Sequence, residues 1–437
     1  MKKATKGMNM KIQGTSRRGF LQSMLAAGAV PLVIPSSVLY GETAPSNRVN
    51  LASIGVGNQG GGLFGTLLQP DWVRVVAVAD CFKDRREGRA KQANDKWGAN
   101  VCTAYQDFRE LLARKDIDGV VIATPDHWHH HTSALAMKAG KDVYCEKPLS
   151  LSIGDNKDLL AIARSTGRVF QYGTQQRSSS HVRTGCELVR AGVLGKISRV
   201  EVTAPGGRNG GGSLEAIPVP EGLGYDMWMG PSRDRPYTSD RCTNEGSWYS
   251  SDCALGFIAG WGAHPLDVMT WALGDGPDSV PVSYEGTGVF GKGLFDTCAS
   301  WDVKGRFANG AEFVFGTGGD CTTFIGEKGK IMISRGELKA EPASLLRETL
   351  PPRRDPLRAN TTGFHHTADF AQCIKTREAP CSPIDAAYHS DNISHLSLIA
   401  IKTGRKITWD TKKQTIIGDE EAVKMTDRKV SRAPYIA

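Results

Sequence analysis

The chain has 437 residues, of which 40% are hydrophobic and 23% are charged. These proportions are typical of an ordinary globular protein, and the length is sufficient for about two domains with full cores. Lys and Arg number 54 against 46 Asp and Glu, a formal net charge of +8, more than half of which lies in residues 1–45. Because the rest of the chain carries no basic run with interleaved aromatic residues, we expect no nucleic-acid partner.

The N-terminal segment has the pattern of an export signal. Ser16-Arg17-Arg18-Gly19-Phe20-Leu21 is a twin-arginine sequence, and a modest apolar stretch at residues 24–34 follows it. That stretch is too short for a stable membrane anchor. Residues 1–44 are therefore predicted to be a twin-arginine signal peptide that engages the export machinery and directs the protein to the periplasm. Since this pathway carries folded proteins, a cofactor would already be bound at export.

The cysteines show no metal-binding pattern. There are ten of them, with no C-x-x-C pair and no Cys/His spacing of a zinc site, so no metal site is predicted. After export the pairs nearest in sequence, Cys242–Cys253 and Cys373–Cys381, could form disulfides. Buried free thiols are an equal alternative.

Residues 48–80 have the pattern of a strand, a glycine turn, a helix and a second strand. Gly55 permits a tight turn, Gly57 lets the backbone approach a pyrophosphate, and Gly60 allows close packing of helix and strand. The helix N-terminus offers unpaired N–H groups to phosphates. Asp80 ends the second strand, where a carboxylate can accept hydrogen bonds from an adenosine ribose. A dinucleotide site is predicted, with Asn58 and Gln59 completing its turn.

The carboxylate at this position also bears on the choice of cofactor. NAD is predicted in preference to NADP, because Asp80 would repel a 2′-phosphate. Arg85 and Arg86 lie nearby in sequence and are the alternative, since they could bind such a phosphate.

The following residues continue the alternation of strands and helices. Strands are predicted at 117–123, 142–145 and 168–172, with helices at 83–97, 107–113, 131–139 and 153–163. This order predicts a doubly wound parallel sheet, a Rossmann fold, with ligands beyond the carboxyl ends of its strands.

The pattern changes at about residue 173. Strands are predicted at 197–203, 297–303, 311–315 and 329–334, a long loop at 204–251, and helices at 181–191, 265–273, 367–376 and 389–403. The predicted fold class is α/β: an NAD-binding Rossmann domain at 45–172, then an α+β domain at 173–437 with an open, mostly antiparallel sheet. Because an open sheet leaves one face to be covered, we expect a homodimer or homotetramer.

Five motifs in order carry a resemblance to a known family. They lie at 55–60, 123–129, 145–148, 173–177 and 260–264, and the third reads Cys145-Glu146-Lys147-Pro148. With them the chain resembles the Gfo/Idh/MocA oxidoreductases, named for glucose-fructose oxidoreductase and inositol dehydrogenase, and more narrowly their exported twin-arginine members. The resemblance implies a nicotinamide cofactor and a sugar or polyol substrate. It further implies that Thr124, Pro125 and His127 surround the cofactor and that Glu146 binds on its ribose side.

Oxidation of a secondary alcohol requires a base for the hydroxyl proton and positive charge near the developing alkoxide. Lys147 is the candidate for the charge and for cofactor contact, and His264 is the candidate base. The family pattern places Asp four residues before this histidine, where this chain has Gly260. Asp267, Asp252 or Tyr249 could orient the histidine instead.

Further candidates have a structural alternative beside the functional one. Gln175 and Arg177 could reach the nicotinamide or sugar hydroxyls, or could pack the second domain. Aromatic faces at Trp228, Trp248 and Tyr249 suit sugar C–H surfaces, and of these only Tyr249 is taken as a site residue. His127 is followed by three further histidines at 129–131, but no carboxylate set completes a metal site there.

Three interpretations of the function follow. The first is an NAD-dependent oxidoreductase with a tightly held cofactor, acting on a secondary alcohol of a sugar, glycoside or polyol. The alternative is an exported NAD-dependent glycoside hydrolase or lyase, using a redox-neutral cycle of oxidation, elimination, hydration and reduction. The third is a sugar-binding protein without activity. Lys147 and His264 together favour an enzyme, and the first interpretation is the prediction.

Overall fold

The computed structural model describes residues 47–348, 357–358, 360, 362–363, 365–427 and 432. The predicted signal peptide lies outside the described residues. From Val49 onward the described residues form one compact unit. None of their helices has the length and apolar character needed to cross a membrane.

The first half of this unit is built on a parallel sheet of six strands in the order β3-β2-β1-β4-β5-β6. The strands are β1 (Val49–Ile54), β2 (Val73–Ala79), β3 (Thr103–Tyr105), β4 (Gly119–Ile122), β5 (Asp142–Cys145) and β6 (Phe170–Tyr172). Strands β4 and β5 are buried at every position, because helices cover both faces of the sheet. The doubly wound prediction is confirmed. The short edge strand β3 was not predicted, since three residues carry no periodicity.

Five helices connect these strands: α1 (Asn58–Leu67), α2 (Lys83–Trp97), α3 (Phe108–Leu112), α4 (His129–Lys138) and α5 (Ile153–Thr166). Helix α5 shows how the sequence sets such boundaries. The Ser152 hydroxyl accepts a hydrogen bond from the Asp155 N–H at its start, and Gly167 ends it with a φ of 62°. Short loops of this kind bring the glycine turn and the loops after β2, β4, β5 and β6 to one edge of the sheet.

The second sheet has nine strands in the order β13-β12-β11-β7-β10-β9-β8-β14-β15. They are β7 (Ile197–Ala204), β8 (Ser283–Phe290), β9 (Cys298–Arg306), β10 (Glu312–Thr317), β11 (Cys321–Gly326), β12 (Gly329–Ser334), β13 (Leu338–Glu341), β14 (Ile407–Asp410) and β15 (Thr415–Ile417). Only β7 and β10 pair in parallel, so the prediction of a mostly antiparallel sheet is confirmed. Five strands, β8, β11, β13, β14 and β15, were not predicted.

Eight helices accompany this sheet: α6 (Ser180–Arg190), α7 (Tyr225–Met229), α8 (Asn244–Tyr249), α9 (Phe257–Gly260), α10 (Ala263–Leu273), α11 (His366–Thr376), α12 (Ile384–Thr403) and α13 (Glu420–Lys424). Helices α7 and α8 lie within the predicted long loop. The core on the inner face of the sheet includes residues of α10 and α12. Helix α11 returns to the first sheet, where Phe370 packs in a core cluster with Leu51 of β1.

The outer face of the second sheet is polar. Arg199 of β7 forms ion pairs with Glu201 at 2.7 Å and with Glu312 of β10 at 3.3 Å. A face of this kind is compatible with solvent, so the predicted homodimer or homotetramer stays a prediction. The ten cysteines are free thiols in the described structure, which corrects the disulfide alternative for Cys242–Cys253 and Cys373–Cys381.

Candidate active site

The glycine turn after β1 has the geometry that its sequence predicts. Gly55 has a φ of 78°, and a Cβ there would lie 2.7 Å from the Ala123 carbonyl oxygen. A Cβ on Gly60 would lie 1.9 Å from the carbonyl oxygen of Gly55. Helix α1 starts after Gly57 without a side-chain cap, so its first N–H groups are left for a ligand. Gly55, Gly57, Asn58 and Gln59 line a cleft at this edge.

Asp80 lies at the end of β2 and lines the same cleft. One of its carboxylate oxygens accepts the Val56 N–H at 2.8 Å and the other accepts the Phe82 N–H at 2.9 Å. Burial raises the pKa of this carboxyl, although the hydrogen bonds from the two backbone N–H groups act to lower it. Each oxygen keeps a lone pair, so Asp80 can hold the turn and still accept a ribose hydroxyl.

The two arginines that follow Asp80 differ in availability. Arg86 donates to the carbonyl oxygens of Asp80 and Cys81 at 3.3 and 3.4 Å, so it braces the loop. Arg85 stacks on Phe82 at 3.8 Å and lines the cleft. Of the two arginines, only Arg85 is therefore placed to bind a 2′-phosphate in the cleft.

We predict that Asp80→Ala raises the Kd for NAD by about 10–100-fold, because hydrogen bonds to charged groups contribute about 1.5–3 kcal/mol. The Kd ratio should move towards NADP, with Arg85 available to the 2′-phosphate. Isothermal titration with both nucleotides measures this shift. Asp84→Ala is the matched control, since it removes an exposed carboxylate of the same charge from α2. Equal effects of the two variants would contradict a direct role for Asp80.

A carboxylate beside the cleft and a hydroxyl on its wall have buried polar atoms without a hydrogen-bond partner among the described residues. Glu146 is 3% exposed, and its Oε1 accepts from Gln59 at 3.2 Å, Tyr144 at 3.2 Å and Gln175 at 2.5 Å. Its Oε2 has no hydrogen-bond partner among the described residues, and neither has the hydroxyl of Thr124. Burial raises the pKa of Glu146. An acceptor and a hydroxyl left open beside a glycine turn fit the ribose groups of a dinucleotide.

The roof of the cleft comes from the predicted long loop. Pro125 lines the floor, and Trp228, Thr243, Ser247 and Trp248 face it from α7, α8 and the residues between them. No motif marks these residues, because the contact depends on how the loop folds back over the first sheet.

A second cavity, of about 250 Å³, adjoins the cleft. Lys147 and His264 lie on its wall with Gln175, Trp261 and Arg335. The Lys147 Nζ donates to the Gly260 carbonyl oxygen at 2.8 Å. The two residues predicted to carry the chemistry are thus brought together from the β5 loop and from α10.

His264 lies in surroundings that oppose its protonation. It is 5% exposed, and its Nδ1 is buried without a hydrogen-bond partner among the described residues. Burial lowers its pKa well below the usual range, and the positive charges of Lys147 and Arg335 lower it further. The imidazole is therefore neutral at neutral pH.

The two aspartates proposed to orient His264 are hydrogen-bonded to arginines instead. Asp267 accepts two hydrogen bonds from Arg177, each at 2.7 Å. Asp252 accepts from Arg235 and Arg241. Position 260 itself has room, because a Cβ there would meet only a ring carbon of Phe257 at 3.9 Å.

Five predicted site residues line neither the cleft nor the cavity: Gly60, His127, Glu146, Arg177 and Tyr249. Gly60 packs on the glycine turn and Glu146 contacts Gln59, and the other three have partners elsewhere. Arg177 is 1% exposed and pairs with Asp267 and Asp275, which corrects its assignment to the cofactor. The His127 imidazole contacts the Trp228 carbonyl oxygen at 2.9 Å, so this residue joins β4 to the roof. Tyr249 packs on Phe257 at 4.9 Å, with its pKa raised by burial. The same residue types also serve in buried ion pairs and packing, and the cofactor role of His127 and the catalytic role of Tyr249 stay predictions.

Several cavity residues were not selected from the sequence, among them Asp126, Trp248, Phe257 and Arg335. Asp126 follows β4 in one of the quoted motifs, so its position after a strand end was a usable signal. Trp248 is adjacent to Tyr249, and the unpredicted helix α8 decides which of the two faces the cavity. The histidines at 127 and 129–131 have separate partners, and within the described ranges no group of three residues could hold a metal ion.

A Rossmann sheet and a glycine turn with an acid after β2 define a dinucleotide-binding protein, and a lysine-lined cavity adjoins its cleft. Two family models match the chain. The first, an oxidoreductase family with an NAD-binding Rossmann fold, covers residues 49–174. The second, the C-terminal alpha/beta domain of the oxidoreductase family, covers residues 179–437. The chain therefore belongs to the Gfo/Idh/MocA oxidoreductase family, which confirms the resemblance to that family, and its cofactor is NAD. Its place among the exported twin-arginine members stays a prediction.

Curated relatives match over part of their length. A glycosyl hydrolase family 109 protein of Stenotrophomonas maltophilia is 32% identical over 191 residues, 42% of this chain and 41% of the relative. A 2,7-anhydro-N-acetylneuraminate hydratase of Mediterraneibacter gnavus is 28% identical over 149 residues, 34% and 37% of the two chains. The chain thus spans about two-fifths of the length of these relatives.

A solved structure shares the fold over most of the chain. The WlbA dehydrogenase of Bordetella pertussis, in complex with NADH and UDP-GlcNAcA, superposes with a TM-score of 0.61 at 16% identity. The match covers 83% of this chain and 98% of that one.

Proposed function

We propose that this protein is an NAD-dependent oxidoreductase that acts on a secondary alcohol of a sugar, glycoside or polyol. The observation that carries the proposal is the position of Lys147 on a cavity that opens into the dinucleotide cleft. The residues shared by cleft and cavity, among them Asn58 and Gln59, would allow a substrate carbon to lie against the nicotinamide.

The chain's own residues have two roles: Lys147 supplies positive charge, and aromatic residues contact the substrate. When bound, NAD supplies the acceptor for a hydride. Lys147 has three N–H donors, and one of them is held by Gly260. The other two can donate to the substrate oxygen, and the ammonium charge stabilises the alkoxide that develops there. Trp248, Phe257 and Trp261 offer aromatic faces to the C–H surface of a sugar ring.

Cofactor retention is part of this proposal. Residues of α7 and α8 close over the cleft, and the hydroxyl of Thr124 lies on its wall. The buried carboxylate of Glu146 accepts a hydrogen bond from Gln59, which also lines the cleft. A tightly held cofactor suits a protein that is exported in the folded state to a periplasm without a free NAD pool. The twin-arginine sequence at the N-terminus supports that localisation.

A second candidate function is redox-neutral cleavage of a glycoside. The observation that favours it is the similarity to a glycosyl hydrolase family 109 protein and to a hydratase, whose named reactions consume no external oxidant. In such a cycle oxidation at C3 acidifies the C2 proton, the aglycone is eliminated, water adds, and the carbonyl is reduced again. Lys147 would stabilise the alkoxide in the first step and the last.

The deciding experiment begins with protein purified without added nucleotide. Mass spectrometry of the released cofactor should show NAD or NADH at near-stoichiometric amounts. The loaded protein is then incubated with free sugars, polyols and para-nitrophenyl glycosides, while NADH absorbance and aglycone release are followed. Stoichiometric NADH formation that needs an external acceptor for turnover supports the oxidoreductase. Turnover of glycosides without net NADH supports the second candidate, and protein without affinity for either dinucleotide would refute both.

A further inference from the structure

The cleft and the cavity share a boundary made by four residues. Asn58, Gln59, Asp126 and Trp248 line both, whereas Lys147 and His264 line the cavity alone. Asp126 is the one ionisable side chain of the four. It stands on the single 3₁₀ turn Asp126–Trp128, directly beyond the carboxyl end of β4.

Hydride transfer places strict demands on this boundary. The reacting carbon must touch the nicotinamide, and the hydroxyl on that carbon must lie within about 2.6–3.2 Å of the group that takes its proton. A proton acceptor is therefore expected where cleft and cavity meet. His264 lies farther along the cavity wall, beside Trp261 and Arg335.

We propose that Asp126 is the proton acceptor for the substrate hydroxyl, a role that rests on the oxidoreductase function proposed above. The O–H bond of the substrate breaks, its electron pair stays on the oxygen, and the proton bonds to a carboxylate oxygen of Asp126. As the carbonyl forms, the hydrogen on the same carbon leaves with its electron pair as the hydride that NAD accepts. Reduction of a carbonyl runs the same transfers in reverse.

The charges around Asp126 suit this role. Burial raises its pKa to about 7, the ammonium of Lys147 opposes that rise, and the carboxylates of Asp391 and Glu146 add to it. The thiols of Cys145 and Cys253 also face it, and burial raises the pKa of both. A base is most effective when its pKa lies near the working pH, and Asp126 meets that condition.

The comparison with His264 decides between the two candidates. Protonation of His264 would create a charge in a buried site next to Lys147 and Arg335, with no carboxylate bonded to its ring. Protonation of Asp126 removes a buried charge instead. In this proposal the carboxylate missing at position 260 is replaced by that of Asp126, which interacts with the ammonium of Lys147 and receives the proton itself.

The first test follows Asp126 directly, without turnover. Protein labelled with ¹³C at aspartate carboxyls is titrated by NMR, and Asp126→Asn assigns the resonance. Asp302→Asn, at an exposed position of β9, is the control for the assignment. We expect the Asp126 resonance to titrate near pH 7. Titration in the ordinary aspartate range, near pH 4, would overturn the proposal.

The second test compares Asp126→Asn with His264→Gln on the alcohol that the screen above identifies. Asp126→Asn should lower kcat by about 10²–10⁴-fold and abolish the acidic limb of the pH–rate profile near pH 7, with NAD still bound. The rate should fall on the acidic side of the profile, because at a pH below the raised pKa the Asp126 carboxyl is already protonated and cannot accept the proton. His264→Gln should keep the limb. A limb that persists in Asp126→Asn and vanishes in His264→Gln would overturn the assignment, while NAD binding and turnover would leave the oxidoreductase function standing.

Discussion

Lys147→Ala is expected to lower kcat on the order of 10²–10⁴-fold while NAD remains bound. The substitution removes the ammonium group that faces the cavity and leaves the Gly260 carbonyl oxygen without its donor. The loss should fall on kcat, because the charge on the substrate oxygen develops only as the reaction proceeds. Steady-state kinetics and a separate titration of NAD measure the two quantities.

Two controls make this result specific to the ammonium at position 147. Lys147→Arg should not restore the rate, because the planar guanidinium cannot replace a compact ammonium against one oxygen. Lys157→Ala removes a lysine that also donates to a backbone carbonyl, that of Gln414 at 2.6 Å, but lies outside both cavities. It should leave kcat unchanged. An active Lys147→Ala enzyme would be incompatible with the proposed function.

Gly60→Ala is expected to weaken NAD binding at least 10-fold and to lower the melting temperature. A Cβ at Gly60 would lie 1.9 Å from the Gly55 carbonyl oxygen and 3.2 Å from the Ala123 Cβ. The first contact is with backbone, so the glycine turn itself must shift. Overpacking of this kind costs about 1–3 kcal/mol, and the moved N–H groups no longer match a pyrophosphate. Calorimetric titration and thermal unfolding report the two effects.

Gly62→Ala is the matched control on the same helix, α1. A Cβ there meets nothing within 4 Å, and the residue is exposed. Replacing an interior helix glycine by alanine should stabilise the protein by about 0.5–1 kcal/mol and leave NAD affinity unchanged. A loss of affinity in both variants would mean that helix rigidity, rather than the packing of Gly60 on the turn, controls binding.

The dinucleotide cleft could be predicted because its requirements are local. Gly60 packs on the Gly55 carbonyl oxygen within one turn, and Asp80 follows the next strand. The hydrophobic periods that produce β1 and β2 place them side by side in parallel, with Val49 opposite Val73. Apart from the contacts that Gly55 and Gly60 make with Ala123, each of these features depends on residues less than 40 positions apart.

The second domain was predicted less completely. Strand β14 pairs with β8, β15 pairs with β14, and β10 joins β7 across more than 100 residues. Such short, half-exposed strands carry weak periodicity, and long-range pairing selects their conformation. The helices α7 and α8 acquire their role in the same way, since only their contact with the first sheet makes them a roof.

The sequence by itself determined the Rossmann half, the cofactor and the presence of Lys147 and His264 at the site. Only the tertiary structure decided what surrounds them. It buried Arg177 in an ion pair with Asp267, turned Trp248 rather than Tyr249 to the cavity, and set Asp126 at the boundary of cleft and cavity. The physical reason is that a motif specifies residue types along one strand end, whereas burial, charge and partners arise where distant segments meet.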